Sequence, residues 1–366
     1  MSDINKAKKQ LYIVIKKARI HLYKPIQIAE ILRAHRLNQD FSLLDLEAYR
    51  NQSKRWRDKV SLRLVGRICT SSARFQDNLF EENAMLPKLL SVLGEENEKE
   101  DGKGMVEAYI YESIKSKFGT LEKLGDYLEK ATPDSFRLSE FISGFVSDPG
   151  LKRSIDKAYE ITVFALFDSL VRHLKIEVSI RISDERKALL KDFEDFTKIL
   201  LGIDSEKSEI TVPARLYRVG VTNAADRGLD MWANFGPAVQ VKHLSLSEDL
   251  AKDIVGGISA DKIVIVCKSA EKTLIDRVLN QLGFSHRIQG IITQDDLERW
   301  YRKCFSDKYK ENLGVTLLKN LIKEFYEEFP SAGDTLSQFI REREYDKIRL
   351  KGIFSQTKTK KKLELK

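Results

Sequence analysis

The run Ile263-Val264-Ile265-Val266-Cys267, closed by Lys262 and Lys268, constrains the fold of this chain more than any other segment. It offers no polar position to water on either side. A short continuous β-branched run of this kind is the pattern of a buried central strand, the sort found in parallel sheets covered on both faces. The flanking sequence supplies the cover. Ser245-x-x-Glu248 ahead of the run reads as a capping box for a helix over LSEDLAKDIVGG. Behind it, Ser269 caps a helix to Leu282 that Gly283 ends, and RIQGIIT forms another strand before the capping box Thr293-x-x-Asp296.

Upstream, Asp184-Glu185 opens a helix over ERKALLKDFEDFTKILLG, with Leu189, Leu190, Phe193, Phe196, Ile199 and Leu200 at helical spacing and Gly202 as C-cap. A strand-like stretch with Val212, Leu216, Tyr217, Val219 and Val221 runs to a turn at Thr222-Asn223. Residues 227–244, RGLDMWANFGPAVQVKHL, then read as a hairpin. Asp230 stands at the start of one strand, Gly236-Pro237 turns, and Val239, Val241 and Leu244 form the next strand with Gln240 and Lys242 between them. Residues two apart on a strand share a face, so Gln240 and Lys242 project together, and the hairpin returns Asp230 towards them. A carboxylate, a neutral oxygen ligand and an ammonium are the parts that hold a hard divalent metal and activate a water beside a phosphate. Taken alone this spacing is common, and the wet face of any hairpin carries charges. What sets the triad apart is the order around it: helix, three strands, helix, strand, then further helix and strand. Asp226, four residues before Asp230, is a rival for the acidic position.

That order resembles the core of the PD-(D/E)xK nuclease superfamily, in which the acid lies on the second core strand and the (D/E)xK pair on the third. Asp230, Gln240 and Lys242 fall in those places, with Gln where Asp or Glu is usual, a QxK variant that some restriction endonucleases carry. The segments YKPIQIAEILRAHR, NQSKRWRDKVSLRLVGR, TSSARFQDNLF and NAADRGLDMWANFGPAVQVKHLSL together resemble the HaeII family of type II restriction endonucleases. The likeness runs from about Ala18 to the helices beyond Trp300. It implies Mg²⁺-dependent hydrolysis of double-stranded DNA at a short symmetric site, purine-GCGC-pyrimidine for the family's namesake, and a cognate DNA methyltransferase that acts on the same site without having to bind this protein. A symmetric site in turn implies a C2 homodimer, each subunit cutting one strand. In that reading Asp230 binds the metal, Gln240 supports it through its carbonyl oxygen, and Lys242 orients or helps deprotonate the attacking water. Glu194, on the preceding helix, is the candidate for a third acidic ligand.

Charge distribution points towards a duplex as well. The chain carries a net +8, yet residues 1–75 hold 17 Lys/Arg against 6 Asp/Glu, a net of +11, while residues 76–112 hold 3 against 10, a net of −7. Clustered cations suit a phosphate-binding face, where counterion release favours them. Arg55, Arg57 and Arg67 lie in a segment that interleaves cations with Trp56 and apolar residues, and Ser71, Ser72, Arg74 and Gln76 add groups able to contact phosphates or base edges. An amphipathic helix with an ordinary charged face explains the first group equally well, and a turn with an N-cap explains the second.

The expected architecture is α+β or α/β: a mostly helical, basic DNA-binding region over residues 1–160, a PD-(D/E)xK-like nuclease domain with a mixed β-sheet flanked by helices and closing C-terminal helices over 161–350, and a basic tail over 351–366. EENEKEDGKG at 95–104 reads as a surface loop. No run of about eighteen apolar residues offers a membrane span. The start, MSDINKAKKQ, has no apolar signal core and reads as cytosolic, which suits a cytoplasmic prokaryotic enzyme. Cys69, Cys267 and Cys304 are isolated, as buried free thiols are, and the five histidines show no ligand spacing. His243 points away from the face of Lys242 and reads as structural. Two other functions keep the same features: a non-catalytic DNA-binding regulator, which has no need of the Asp230/Gln240/Lys242 set, and a structure-specific or RNA-processing nuclease on the same core.

Overall fold

The computed structural model describes residues 2–18, 22–38, 40–68, 80, 85–99, 103–147, 151, 154–219, 229–269, 287–329 and 333–354. Two compact units form, one from Met1–Lys130, Glu140–Ile155 and Phe325–Lys366, the other from Ala131–Ser139 and Asp156–Glu324. The first opens with α1 (Asp3–Lys17), α2 (Tyr23–Asn38), α3 (Leu46–Val65), α4 (Pro87–Glu98), α5 (Met105–Lys130) and α6 (Leu138–Ser147). The second carries α7 (Ile155–His173), β1 (Glu177–Arg181), α8 (Lys187–Asp192), α9 (Glu194–Leu200), β2 (Glu209–Pro213), β3 (Leu216–Arg218), β4 (Met231–Ala233), β5 (Ala238–Val241), α10 (Glu248–Gly257), β6 (Ile263–Cys267), β7 (Ile288–Thr293), α11 (Gln294–Cys304) and most of α12 (Val315–Glu328). The chain returns to the first unit in α13 (Gly333–Glu342).

In the helical unit, buried charges tie segments that are distant in sequence. Glu107, fully buried, accepts from Arg36 Nε at 2.8 Å, Asn97 Nδ2 at 2.6 Å and the Tyr345 hydroxyl at 2.6 Å. Glu30 accepts from the Tyr111 hydroxyl at 2.6 Å and from the Arg343 guanidinium, with Nη2–Oε2 at 3.0 Å. Removing one partner of such a set strands the others in the interior, so these contacts fix which helices meet. They also explain why the C-terminal helices after Phe325 belong to this unit instead of closing the sheet unit, as the sequence suggested. Asn97 further shortens the acidic loop expected at 95–104: its side chain accepts from Val106 N at 3.0 Å, and α4 runs on to Glu98.

The second unit is built on a five-stranded sheet of order β3-β4-β5-β6-β7. β3, β4 and β5 pair antiparallel, and β5, β6 and β7 pair parallel, so the sheet is mixed. Ile263-to-Cys267 is β6, flanked by parallel neighbours on both sides, as its unbroken apolar run required. One face packs under α10, where Ala238, Ile263, Ile265 and Cys267 meet Ala251, Ile254 and Ile258. Arg218, Met231, Val239 and Val264 stand opposite one another in register and so share the other face. Cys267 and Cys304 are buried free thiols, and burial pushes each up to about 11. Cys69 and the helix expected from Ser269 to Leu282 lie outside the described residues, apart from Ser269 itself. Among the described residues no helix is long and apolar enough to cross a membrane.

Local capping decides the helix starts. Thr293 and Asp296 make the reciprocal capping box that the sequence announced. At α10 the N-cap is Ser247, whose hydroxyl accepts from Leu250 N at 3.3 Å, not Ser245, which instead bonds the Ser269 hydroxyl at 2.7 Å across to the end of β6.

Candidate active site

The Gly236-Pro237 turn brings β4 and β5 together, with Gly236 at φ 115, a backbone conformation that side chains rarely adopt. Met231 faces Val239 and Trp232 faces Ala238 across the ladder. Asp230, immediately before β4, continues it by donating its own N–H to Val239 O at 3.2 Å. The next rung is made by its side chain. Asp230 Oδ2 accepts from Val241 N at 2.7 Å and from Gln240 Nε2 at 2.5 Å. The carboxylate therefore closes the end of the ladder. Gln240 is 2% exposed, and its amide orientation follows from the carboxylate it faces, since only the nitrogen can donate. The Asp230 Oδ1 atom has no hydrogen bond from a described residue.

Burial raises the Asp230 carboxyl above its ordinary value, against the Val241 N–H bond and the charges of Lys242 and Lys157, which lower it. Lys242 lies just past β5, its backbone N donating to Val266 O at 2.8 Å, so the side chain leaves from the end of the sheet, beside Asp230. The three residues singled out from the hairpin thus come together.

A further acid, which the sequence reading did not include, lies within electrostatic range of Asp230. Glu160, on α7 and 2% exposed, is held by Lys157 three residues earlier and by Arg218 of β3, with Nη1–Oε1 at 3.1 Å. Burial raises its carboxyl, and the Asp230 charge raises it further, while Lys157 and Arg218 lower it. Arg218 also donates to Glu324 Oε2 at 2.9 Å. The sequence signal was present: an acid between Tyr159 and Ile161, in a helix apolar on most faces, is one that must be paired if buried. Glu194, the expected third acid, is engaged elsewhere, its Oε1 accepting from Ser205 N at 3.0 Å. Asp226 lies outside the described residues. His243 pairs through Nδ1 with Asp156 at the start of α7, on the side of the sheet away from Gln240. Tyr217 and Trp232, both about two-fifths exposed, stack at 4.4 Å and 19° on the face that carries Ala238.

The proposed duplex-contacting arginines part company. Arg57 is 2% exposed, and its guanidinium donates to Asp58 Oδ1 at 2.8 and 2.7 Å and to Gln27 Oε1 at 3.3 Å. It is a core residue of the helical unit, because position 57 lies on the inner face of α3 with Ser53, Val60, Ser61 and Leu64. Arg67 donates to the Glu327 carbonyl. Arg55 is exposed on the outer face of α3. Ser71, Ser72, Arg74 and Gln76 lie outside the described residues.

Comparison with known proteins places these features. The family described as HaeII restriction endonuclease matches residues 7–345. The chain is 51% identical over 348 residues to the type II restriction enzyme HaeII of Haemophilus aegyptius, covering 95% of this chain and 98% of that protein. It is 50% identical over 342 residues to the type II restriction enzyme NgoBI of Neisseria gonorrhoeae, covering 93% and 96%. No solved structure matches it.

Proposed function

The chain belongs to the HaeII restriction endonuclease family, and from that premise we propose that this type II restriction endonuclease hydrolyses double-stranded DNA at a short symmetric site through the cluster at the end of β4 and β5, on a sheet of PD-(D/E)xK type. The observation that carries the proposal is the meeting of Asp230 with Gln240 at 2.5 Å, under the charge of Lys242. The chemistry of the donor set suits a hard divalent cation such as Mg²⁺: a half-buried carboxylate on Asp230 with one oxygen open, the Gln240 amide, and the buried carboxylate of Glu160. Asp230 and Glu160 would bind the cation, and Gln240 would offer its amide oxygen by turning the amide about. The cation, when bound, supplies Lewis acidity towards the scissile phosphate.

The protein's own groups do the rest. Lys242 brings a positive charge to the place where negative charge develops on the phosphate, and it orients the attacking water. Arg218 and Lys157 hold Glu160 in place before substrate arrives, which favours a preformed site. We assign duplex contact to the exposed cations of the helical unit, Arg55 among them, and to Ser71, Ser72, Arg74 and Gln76. The remainder of the reading is a cytoplasmic homodimer, a purine-GCGC-pyrimidine recognition site, and a cognate methyltransferase that protects the same sequence.

Digestion of plasmid DNA by the purified protein, with Mg²⁺ and with a chelator, tests the proposal. Cleavage into defined fragments with Mg²⁺, its loss in chelator, and its loss in Asp230→Ala with duplex binding retained are the expected results. Full cleavage by Asp230→Ala would move the chemistry away from this hairpin.

A further inference from the structure

Residues 174–213 form, within the second unit and between α7 and β3, an excursion of forty residues that lies outside the five-stranded sheet. β1 and β2 pair antiparallel from Glu177↔Pro213 to Arg181↔Glu209, and α8 and α9 close the far end. Within the excursion only Leu190, Thr197 and Ile203 are buried. A two-stranded ribbon with two short helices cannot stand on so small a core, since each ordered residue costs about 1–2 kcal/mol of backbone entropy. Yet the segment is rich in large apolar side chains, and they face outward. Leu189 is 52% exposed, Phe193 54%, Phe196 55%, Ile199 88% and Leu200 64%. The helical spacing read from the sequence is real, but its stripe stays exposed among the described residues.

We propose that the outer face of α8 and α9 is the surface on which a second copy of this chain packs. The inference rests on the homodimer read above and names the surface that makes it. Three observations select that occupant. The first is area: at these exposures, and with about 150–250 Å² for each large side chain, the five present roughly 470–780 Å². That is the upper end of what a monomer leaves open, and most of the ~800 Å² that each partner gives to a standard interface. Ile180 and Val212 on the ribbon, 40% and 36% exposed, extend it.

The second observation is charge. The excursion holds 7 Lys/Arg against 9 Asp/Glu in a chain of net +8, so it repels phosphate where residues 1–75 attract it. A duplex is the wrong occupant. The third is symmetry. Each chain contributes one Asp230/Gln240/Lys242 set, while a duplex presents two strands related by a dyad. An apolar patch meets itself across a two-fold axis without conflict, and the rim carries both signs, Lys191 and Lys198 beside Asp192 and Asp195.

Sedimentation equilibrium of the full chain, without DNA, is expected to give twice the 42.1 kDa chain mass at micromolar concentration. Ile199→Asp should raise the dimer dissociation constant at least ~100-fold. Because Ile199 is 88% exposed, the substitution removes no internal packing, and an unchanged circular dichroism spectrum checks that the fold persists. Independently, Ile199→Cys treated with a short bis-maleimide should yield a covalent dimer, which the parent chain and Asn51→Cys on the exposed face of α3 should not. A wild-type chain at monomer mass, or an Ile199→Asp chain that remains dimeric, would overturn the assignment. So would a loss of duplex affinity in Ile199→Asp with its mass unchanged, which would give the patch to DNA. None of these readings uses cleavage. A dimer that fails to cut DNA would sink the nuclease site and leave this surface standing, and a monomer that cuts would do the reverse.

Discussion

Glu160→Gln separates the site in the structure from the one suggested by sequence proximity. The substitution keeps the shape of a side chain that is 2% exposed and removes its charge. Arg218 loses one of its two acids but keeps Glu324 at 2.9 Å, and the glutamine oxygen can still accept from it. Lys157, with 26% of its side chain exposed, can turn to water. The loss is therefore one charge-assisted hydrogen bond, about 1.5–3 kcal/mol, and not the 3–5 kcal/mol of an orphaned buried charge. Relief of the burial that raises the Glu160 carboxyl offsets part of it. A net loss of about 1–2 kcal/mol, a few degrees in Tm for a unit of this size, leaves the protein folded at assay temperature. The effect on chemistry should be larger: the Mg²⁺ concentration for half-maximal cleavage should rise ~10–100-fold, the scale on which groups supporting a metal act. Glu194→Gln, which alters only a bond to Ser205 N, should leave the metal response unchanged. Plasmid cleavage titrated with Mg²⁺ reads both variants. A wild-type response in Glu160→Gln would refute the argument.

Asp230→Ala and Lys242→Ala should each abolish cleavage while leaving duplex affinity within a few-fold in gel shifts; activity in both would remove the hairpin from the chemistry. Gln240→Glu places a second carboxylate against Asp230, so Mg²⁺ should raise its Tm more than it raises that of the parent, and equal shifts in the two would show that position 240 does not meet the cation. Arg57→Ala should cost about 3 kcal/mol in a urea melt and leave the salt slope of duplex binding unchanged, whereas Arg55→Ala should lower that slope by about one unit at little cost in stability. Because burial raises Asp230 and Glu160, the folded protein holds these protons more tightly than the unfolded chain. Cleavage should then fall on the acid side above the ordinary carboxylate range. In chelator, stability should decline as pH rises from the ordinary carboxylate value through the raised one. Urea melts of Asp230→Asn should show a flatter slope over that window, and an unchanged slope would count against the burial argument.

What could be read from the sequence was local. The unbroken run at 263–267 required two covering neighbours, and the Gly236-Pro237 turn required that Asp230 return beside Gln240; both are decided within a dozen residues. The Thr293 capping box is equally short-range. Glu160 was out of reach because it lies seventy positions before Asp230 and acts on it only through its charge across the fold. Arg57 was misread because a cation count is blind to which face of α3 a residue occupies. The stripe on α8 and α9 failed in a more instructive way. Periodicity states that one face is apolar, and it does not state what covers that face. Phe193, at φ −118 and ψ 32, breaks the expected helix into two, and the large apolar side chains of both halves stay exposed.

Position 240 shows how this site differs from one with two acids on the hairpin. A glutamate there would set two carboxylates within hydrogen-bond distance, and like charges so placed resist ionising together without a counter-charge. Glutamine removes the conflict and donates a hydrogen bond, so Asp230 is held in position by Gln240 and Val241 in the protein alone. In the proposed site the second carboxylate would come instead from Glu160, which Lys157 and Arg218 already neutralise. Each acid thus has its own partner before any cation arrives. The cost would be competition: a divalent ion drawing on Glu160 would have to displace Lys157, the more exposed of its two cations. In the proposed reading, neutral glutamine and occupied glutamate would act in the same direction, towards a preformed site that would bind a divalent cation loosely until a phosphate adds the missing negative charge.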